Sequence, residues 1–428
     1  MDFVKLHRSH VEELSQGVAA ALEENGFSAL VLHSGTPVKR TGADDQFWPL
    51  RPTPHFQHWL PLAEPGCLLI VSPGRRPVLV RQRVQSFWEG PPATDVDHFW
   101  GSFDVVEAIP PLPARAAFVG DDAAAAESLK MTDVNPPVLL QALDSLRVRK
   151  TPYEVECLAE ANRRAAQGHE QLRRLFHGAD RSELELHLAF LGATRQDDAE
   201  TPYKNIVALG KHAATLHHVS YEKRAQPAQS LLVDAGATFA GYCSDITRTW
   251  VKGGGAAGAA FAQLVAGMEA MQQRLCSRVR VGLPYEELHD DSHRQVAQIL
   301  REVGISRLPP DELVSRGVTR AFYPHGLGHS LGLQCHDVGC ALRPPRQDNP
   351  FLRNTTDIAP RQVFTIEPGL YFIEALLAPL RKSPDIDWKL VDALAPFGGI
   401  RIEDDVVVQE KGIRNLTREV LPQGGGAA

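Results

Sequence analysis

The 428-residue sequence predicts an α+β protein in which a small N-terminal α/β domain, residues 1–150, precedes a larger domain, residues 151–428, with two similar halves. Two observations predict this class. The N-terminal part alternates segments of helical and strand periodicity. After residue 151, a pair of helices followed by a block of strands occurs twice. A content of 43% hydrophobic and 23% charged residues is typical of a globular chain, and the length suffices for two domains.

The charge balance excludes some classes of partner. The formal net charge is −7 and the pI is near 6.2, whereas proteins that bind nucleic acids or anionic membranes usually carry a basic surplus or stripe. The N-terminal segment lacks the apolar core of a signal peptide, and no apolar run reaches membrane-spanning length. We therefore expect a cytoplasmic protein without a nucleic-acid or membrane partner.

The cysteine pattern predicts reduced thiols. No two of the six cysteines form a CxxC pair, so the spacing favours neither disulfides nor a zinc knuckle. They are Cys67, Cys157, Cys243, Cys276, Cys335 and Cys340.

The N-terminal domain is predicted from a few short segments. An amphipathic run over 10–24 favours a helix, and the strand-like segments are FSALVLHSG, a hairpin of CLLIVSP with PVLVRQRV, and AAFVGDD. Between them, residues 44–62 (DDQFWPLRPTPHFQHWLPL) hold too many prolines and aromatic residues for a regular element. We expect a structured loop there, either packed locally or serving as a contact surface.

The second domain begins at a helix-start signal. Thr151 can cap a helix, Pro152 suits its first turn, and Glu154 can reach back to the cap amide. Ser182 and Glu185 repeat this capping box before a second helix. The following segments NIVALG, TLHHV and SLLVDAGATFAGYCSDITRTWV favour strands.

The same order recurs after GGGAAGAA, which predicts a turn. Helices are expected over 261–280 and 284–302, followed by strands in QVFTIEPGLYF and GGIRIEDDVVV. The repeat is predicted from pattern and not from residue identity.

Four acidic residues lie on the predicted strands. If the hairpin turn centres on Phe239-Ala240, Asp234 and Asp245 are directly paired, and two facing carboxylates in an apolar setting require a cation or a shared proton. Glu367 ends QVFTIE, and Glu403 follows Arg401 at strand spacing. Each of these acids alone is by default a surface or salt-bridged residue. Together they favour convergence on one site.

The segment FYPHGLGHSLGLQCHD adds three histidines, His325, His329 and His336. Glycines at 326 and 328 disfavour a helix, so the histidines are expected on a loop that can approach a site closely. A lone histidine is more often a core or surface group. Three histidines beside four carboxylates favour a pair of divalent cations, with Mn²⁺ expected first and Co²⁺ or Zn²⁺ as alternatives. Such a pair is typical of hydrolases that attack a carbonyl with a metal-bridging hydroxide.

These motifs also resemble a known family. VDAGATFAGYCSDITRTW, FYPHGLGHSLGLQCHDVG, FTIEPGLYF and GGIRIEDD resemble the pita-bread metallopeptidases, and within them the bacterial prolidases, which are Xaa-Pro dipeptidases. Residues 44–62 resemble a stretch of those prolidases and of the related organophosphorus acid anhydrolases. The resemblance covers nearly the whole chain. It implies a creatinase-like N-terminal domain that forms a homodimer and covers the partner's site, and a pita-bread catalytic domain with pseudo-twofold halves.

The resemblance implies a metal-dependent hydrolase of the imide bond in Xaa-Pro dipeptides, with phosphotriester hydrolysis as a side activity. The implied metal ligands are Asp234, Asp245, His329, Glu367 and Glu403. Glu367 would also carry protons, and His325 and His336 would stabilise the tetrahedral intermediate.

The implied substrate-binding residues are His217, Tyr203, Arg353 and Arg401. Arg353 would hold the proline carboxylate and thereby restrict substrates to dipeptides. Arg401 would brace the metal ligands. His218 and Cys335 depart from the common family pattern, which leaves the pocket preference open.

Two other functions remain open from the sequence. One is an aminopeptidase acting on longer Xaa-Pro peptides, and the other is a non-catalytic protein that uses the same fold for binding.

In the homodimer that the resemblance implies, Asp44 or Asp45 of the N-terminal domain would be the residue that reaches the partner's site.

Overall fold

The structure, a computed structural model, describes residues 1–81, 90, 96–339, 343–422, 424 and 426–427. The chain divides into two compact units, Met1–Cys157 and Leu158–Ala428, and the division falls inside a helix that begins at Pro152. Cys340 and the end of the predicted strand PVLVRQRV lie outside the described residues. No described helix is both long enough and apolar enough to cross a membrane.

The N-terminal unit is a six-stranded mixed sheet with helices. Its helices are α1 (Phe3–Asn25), α2 (Pro54–Gln57), α3 (Ala123–Ser128) and α4 (Pro137–Val148), with a 3₁₀ turn at Trp100–Ser102. Its strands are β1 (Ala29–His33), β2 (Leu68–Val71), β3 (Val78–Val80), β4 (Asp104–Val106), β5 (Ala116–Val119) and β6 (Asp133–Val134). The strand order is β4-β3-β2-β1-β5-β6. The predicted hairpin is present, since β2 pairs antiparallel with β3.

Helix α1 begins seven residues before the predicted start at position 10. Asp2 caps it by accepting a hydrogen bond from the backbone amide of Lys5 at 3.0 Å. The first two turns bury His7 and His10, so part of the inward face consists of imidazoles. A search for apolar periodicity does not detect such a face.

A buried polar cluster joins that helix to the predicted capping box. The His10 Nδ1 lies 2.8 Å from the Thr151 hydroxyl, and the Glu154 carboxylate accepts a hydrogen bond from the Thr151 amide at 2.7 Å. His58 Nε2 lies 3.3 Å from Glu154 Oε1. The capping box is therefore confirmed, and here it also fixes α1 within the N-terminal unit.

The larger unit contains the remaining elements. Its helices are α5 (Pro152–His177), α6 (Glu183–Thr194), α7 (Gly255–Arg278), α8 (Tyr285–Glu302), α9 (Pro310–Ser315), α10 (Val318–Phe322), α11 (Glu374–Leu377), α12 (Trp388–Leu394) and α13 (Leu416–Val420), with 3₁₀ turns at Gly210–Ala214, Ala378–Leu380 and Ala395–Phe397. Its strands are β7 (Ile206–Leu209), β8 (Ser230–Asp234), β9 (Thr238–Phe239), β10 (Tyr242–Cys243), β11 (Thr247–Val251), β12 (Val363–Ile366), β13 (Gly369–Tyr371), β14 (Gly399–Arg401), β15 (Asp404–Val408), β16 (Ile413–Asn415) and β17 (Gly426–Ala427).

Helix pairs followed by strands occur twice in this unit, and the predicted α+β class is confirmed. The capping box of Ser182 and Glu185 opens α6 as expected. Two local predictions are wrong. The segment TLHHV is not a strand, because the chain passes from a 3₁₀ turn directly into a loop there. In GGGAAGAA, the turn is confined to the first residues and α7 already begins at Gly255.

The register of the aspartate hairpin also differs from the prediction. The turn lies at Ala240-Gly241, where both residues have positive φ angles of 49° and 84°, as a type I′ turn requires. Moving the turn centre by one residue shifts the partner of Asp234 by two positions, from Asp245 to Thr247. The predicted direct pairing of the two aspartates is therefore wrong, and they are diagonal neighbours instead.

The two halves of the larger unit meet at the edge of β11. Thr247 forms a β-bridge with Glu403, and the Thr249 hydroxyl donates a hydrogen bond to the Arg401 carbonyl at 3.1 Å. The buried Arg248 guanidinium bonds the Asp404 carboxylate at 2.9 Å. These contacts bring the strand end that carries Glu403 against the hairpin that carries the aspartates.

Candidate metal centre

The five predicted metal ligands converge from separate elements. Asp234 ends β8, Asp245 precedes β11, Glu367 follows β12, and Glu403 lies between β14 and β15. His329 is on the loop after α10, and its Nε2 is 3.5 Å from both Asp245 Oδ2 and Glu367 Oε1. Ligand atoms of Asp245, His329 and Glu403 all lie within 4.8 Å of one another.

Two carboxylates of this centre, those of Glu367 and Glu403, are poorly compensated by the protein itself. Burial and the neighbouring acids raise the pKa of Glu403 well above its ordinary value, and they raise the pKa of Glu367 to about 7. Asp234 Oδ1 is buried without a hydrogen-bond partner among the described residues. A buried orphaned oxygen among carboxylates fits hard divalent cations, which prefer oxygen ligands.

His329 is oriented as a ligand. Its Nδ1 lies 3.0 Å from the Ser330 carbonyl, so Nδ1 carries a proton and Nε2 faces the carboxylates. Burial opposes a charge on this ring, yet Asp245 and Glu367 raise the pKa of His329 to about 9. The same anionic field would attract a cation.

Asp245 is held by groups on three sides. Its Oδ1 accepts a hydrogen bond from the Tyr203 hydroxyl at 2.5 Å, and its Oδ2 accepts one from the Cys335 thiol at 2.9 Å. Its backbone amide donates to Asp405 at 3.0 Å. Tyr203, expected in the substrate pocket, thus contacts a candidate ligand directly.

Asp234 is fixed by Arg401. The guanidinium bonds Asp234 Oδ2 at 2.5 Å and the Tyr371 hydroxyl at 2.7 Å. Tyr371 in turn lies 2.9 Å from His325 Nε2, while His325 Nδ1 lies 2.8 Å from the Gly326 carbonyl. Both ring nitrogens of His325 are therefore engaged within the protein.

The sequence did not predict two residues that contact the side chains of this centre. Thr247 donates a hydrogen bond to Glu403 Oε2 at 2.6 Å, and Tyr371 links Arg401 with His325. The correct turn position would have identified Thr247, because it is the cross-strand partner of Asp234. No signal in the segment GLYF distinguishes Tyr371 from a core aromatic residue.

Three predicted substrate-binding residues lie towards solvent. His217, His336 and Arg353 are exposed. The His336 ring is perpendicular to that of His329 at 4.4 Å between centroids, and His336 makes no hydrogen bond within the described part of the chain. Burial, His329 and then Arg353 lower the pKa of His336 to about 4, which places the Arg353 charge near this ring.

A second group of acid and imidazole side chains lies elsewhere in the same unit. The buried Glu183 carboxylate is surrounded by His212 and His218, and these three side chains offer ligand atoms within 4.8 Å of one another. Glu183, however, accepts hydrogen bonds from His212 at 2.7 Å and His218 at 2.8 Å, and from the amides of Leu209 at 2.9 Å and Glu222 at 2.8 Å. All its oxygens are satisfied without a metal.

Comparison with known proteins agrees with this geometry. Residues 156–410 match the model of metallopeptidase family M24, and residues 5–145 match the model of the Xaa-Pro dipeptidase N-terminal domain. The Xaa-Pro dipeptidase of Pseudoalteromonas haloplanktis is 41% identical over 97% of this chain and 98% of its own length. That of Shewanella sp. (strain W3-18-1) is 40% identical with the same coverage.

Solved structures show the same fold. Aminopeptidase PepP of Pseudomonas aeruginosa superposes with a TM-score of 0.73 at 22% identity, covering 96% of this chain and 95% of that one. The aminopeptidase P of E. coli with the inhibitor Pro-Leu gives a TM-score of 0.72 at 23% identity, with the same coverage.

Proposed function

The chain belongs to metallopeptidase family M24, and from this premise we propose that it is a metal-dependent dipeptidase that hydrolyses the imide bond of Xaa-Pro dipeptides. The observation that carries the proposal is the convergence of three carboxylates on His329, beside an Asp234 whose buried oxygen is orphaned. The names of the relatives that are about 40% identical along their full length support the substrate class.

Two divalent ions, with Mn²⁺ as the expected metal, would bind to Asp234, Asp245, His329, Glu367 and Glu403. When bound, such ions activate a water molecule and polarise the scissile carbonyl. Tyr203 orients the ligand Asp245, and Arg401 orients the ligand Asp234.

Glu367 is the carboxylate suited to move a proton. Its side chain is 17% exposed, compared with 12% for Asp234 and 7% for Asp245. A carboxylate that is open to the substrate side can accept a proton from the attacking water and deliver it to the leaving proline nitrogen. The three better-shielded acids would stay on the metal side.

His336 and Arg353 are suited to bind the substrate. The ring nitrogens of His336 are not used within the described part of the chain, so they are available to a substrate carbonyl. Arg353 is exposed and near His336, and its guanidinium can bind the terminal carboxylate of proline through two hydrogen bonds. The distance between the metals and Arg353 would then select dipeptides.

The first experiment compares Ala-Pro with Ala-Pro-Ala as substrates of Mn²⁺-loaded protein, beside a chelator-treated control. Cleavage of the dipeptide alone, abolished by chelation, is the expected result. Arg353→Lys is the matched variant, since it keeps the charge but loses the two-pronged contact, and the dipeptide KM should rise.

Other outcomes separate the alternatives. Cleavage of the tripeptide would identify an aminopeptidase, the activity named for the structural neighbours. Inactivity on both peptides with metal bound would indicate a non-catalytic binding protein. The homodimer and the cytoplasmic location belong to the proposal as well, and a sedimentation experiment tests the first of them.

A further inference from the structure

Cys335 places a sulfur atom in the candidate metal centre. Its Sγ is 2.9 Å from Asp245 Oδ2, the same oxygen that lies 3.5 Å from His329 Nε2. The mechanism proposed above gives this thiol no role. A carboxylate centre for hard cations has no chemical need of sulfur, because hard cations bind oxygen preferentially.

His329 belongs to two overlapping sets of possible ligands. In the first set it lies with Asp245 and Glu403, and in the second it lies with Cys335 and His336. The ligand atoms in each set are within 4.8 Å of one another. The second set consists of two imidazoles and one thiol, the donors preferred by zinc and other soft divalent cations.

The second set is also accessible. Cys335 is half-buried and His336 is exposed, so two of the three donors are accessible to an ion from solvent. His336 makes no competing hydrogen bond within the described part of the chain, and its ring lies 4.4 Å from that of His329.

We propose that His329, Cys335 and His336 form a thiolate-containing site for a soft divalent cation of the zinc and cadmium class, which competes with the carboxylates for His329. Coordination replaces the S–H···O contact to Asp245 by a sulfur–metal bond, and the thiol proton passes to solvent. A soft cation in this site would withdraw His329 from the carboxylates and inhibit the enzyme.

The test is a Cd²⁺ titration of chelator-treated protein. The signal is the ultraviolet charge-transfer band of a cadmium–thiolate bond. The wild-type chain should develop the band, and Cys335→Ser and Cys335→Val should not. The affinity for Cd²⁺ in the variants should fall by more than about tenfold, because loss of a ligand should cost more than loss of a contact that only orients one. Cys67→Ser is the matched control, because Cys67 is a buried thiol in the N-terminal unit.

A second measurement tests the competition. Free Mn²⁺, detected by electron paramagnetic resonance, should be released from the loaded protein at lower Cd²⁺ concentrations in the wild type than in Cys335→Ser. This second arm depends on the proposed function, whereas the charge-transfer arm does not. Absence of the band in the wild type, or an undiminished band in Cys335→Ser, would overturn the site even if the dipeptidase assay succeeds.

Discussion

Glu183 and Glu403 are both buried carboxylates beside histidines, yet their surroundings differ. Glu183 accepts hydrogen bonds from two imidazoles and two backbone amides, and despite its burial these donors lower its pKa. Glu403 lies among other acids, and burial together with those acids raises its pKa well above the ordinary value. Proximity of acids and histidines is therefore insufficient to identify a metal site.

The difference lies in how the protein satisfies each carboxylate. A carboxylate with a full set of donors stabilises the fold, because it holds strand β7 and the 218–222 loop to the start of α6. A group of acids with too few donors repels itself until a cation binds. Substitutions in the two clusters should consequently affect different properties.

The largest effect is expected within the metal centre. His329→Ala should lose both bound Mn²⁺ and activity, because its Nε2 is the nitrogen that faces Asp245 and Glu367. His336→Ala should retain Mn²⁺ but lose turnover by roughly 100- to 1000-fold, as when one group that stabilises a transition state is removed. Metal analysis of the purified variants, paired with Ala-Pro kinetics, checks both statements.

Equal metal content in the two variants would contradict this division between a ligand and a substrate-binding group. The Cd²⁺ titration provides an internal control, since His336→Ala should weaken Cd²⁺ binding while leaving Mn²⁺ binding intact.

A smaller effect is expected from the tyrosine that supports Asp245. Tyr203→Phe removes one hydrogen bond of 2.5 Å without removing a ligand. We expect the Mn²⁺ affinity to fall by about 10- to 100-fold, with activity restored at high Mn²⁺. A competition titration with a metal indicator measures this change. Activity that stays low at saturating Mn²⁺ would instead assign Tyr203 to the substrate.

The satisfied cluster should respond through stability. Glu183→Gln leaves at least one of the amides of Leu209 and Glu222 facing an NH₂ group, which should cost about 1–3 kcal/mol of unfolding free energy. Glu403→Gln in metal-free protein should cost less or even stabilise, because it replaces a carboxyl group whose charged form is disfavoured by burial and by the neighbouring acids. Urea unfolding of chelator-treated proteins measures both changes, and the opposite ranking would refute the comparison.

Local sequence signals predicted much of the fold and the identity of the converging residues. The capping boxes at Thr151 and Ser182 were readable because each needs only residues three positions apart. The predicted hairpin register is wrong because Ala240 adopts a positive φ, which its side chain does not suggest. That single error hid Thr247 as the cross-strand partner of Asp234.

Contacts between distant segments were beyond the sequence. Two segments after α6 supply the four donors of Glu183, and each segment gives one imidazole and one backbone amide. The two backbone amides have no sequence signature. The Cys335 contact with Asp245 joins residues 90 positions apart. Only the folded chain distinguishes the satisfied cluster from the unsatisfied one.

The N-terminal unit extends the comparison to histidines that burial keeps neutral. Burial is the main cause that lowers the pKa of His10 to about 4 and that of His7 to about 3, against an ordinary value of 6.5. Because the unfolded chain binds these protons at higher pH than the folded unit does, their contribution to stability is complete above about pH 6.5 and is lost as the pH falls towards 4. Each histidine adds at most about 1.4 kcal/mol per pH unit to that loss.

The variant His10→Gln tests the contribution of one of these histidines to the pH dependence of stability. The variant should lose its hydrogen bond to Thr151 or that to the His58 carbonyl, yet its stability should depend less steeply on pH than that of the wild type. Hydrogen exchange of peptides from α1 (Phe3–Asn25) is measured between about pH 7 and about pH 5 and corrected for the intrinsic exchange rates. The result gives the pH dependence of stability within the N-terminal unit. Equal slopes in both proteins would mean that His10 is protonated in the folded state, and that Glu154 holds it as an ion pair at their 3.9 Å separation.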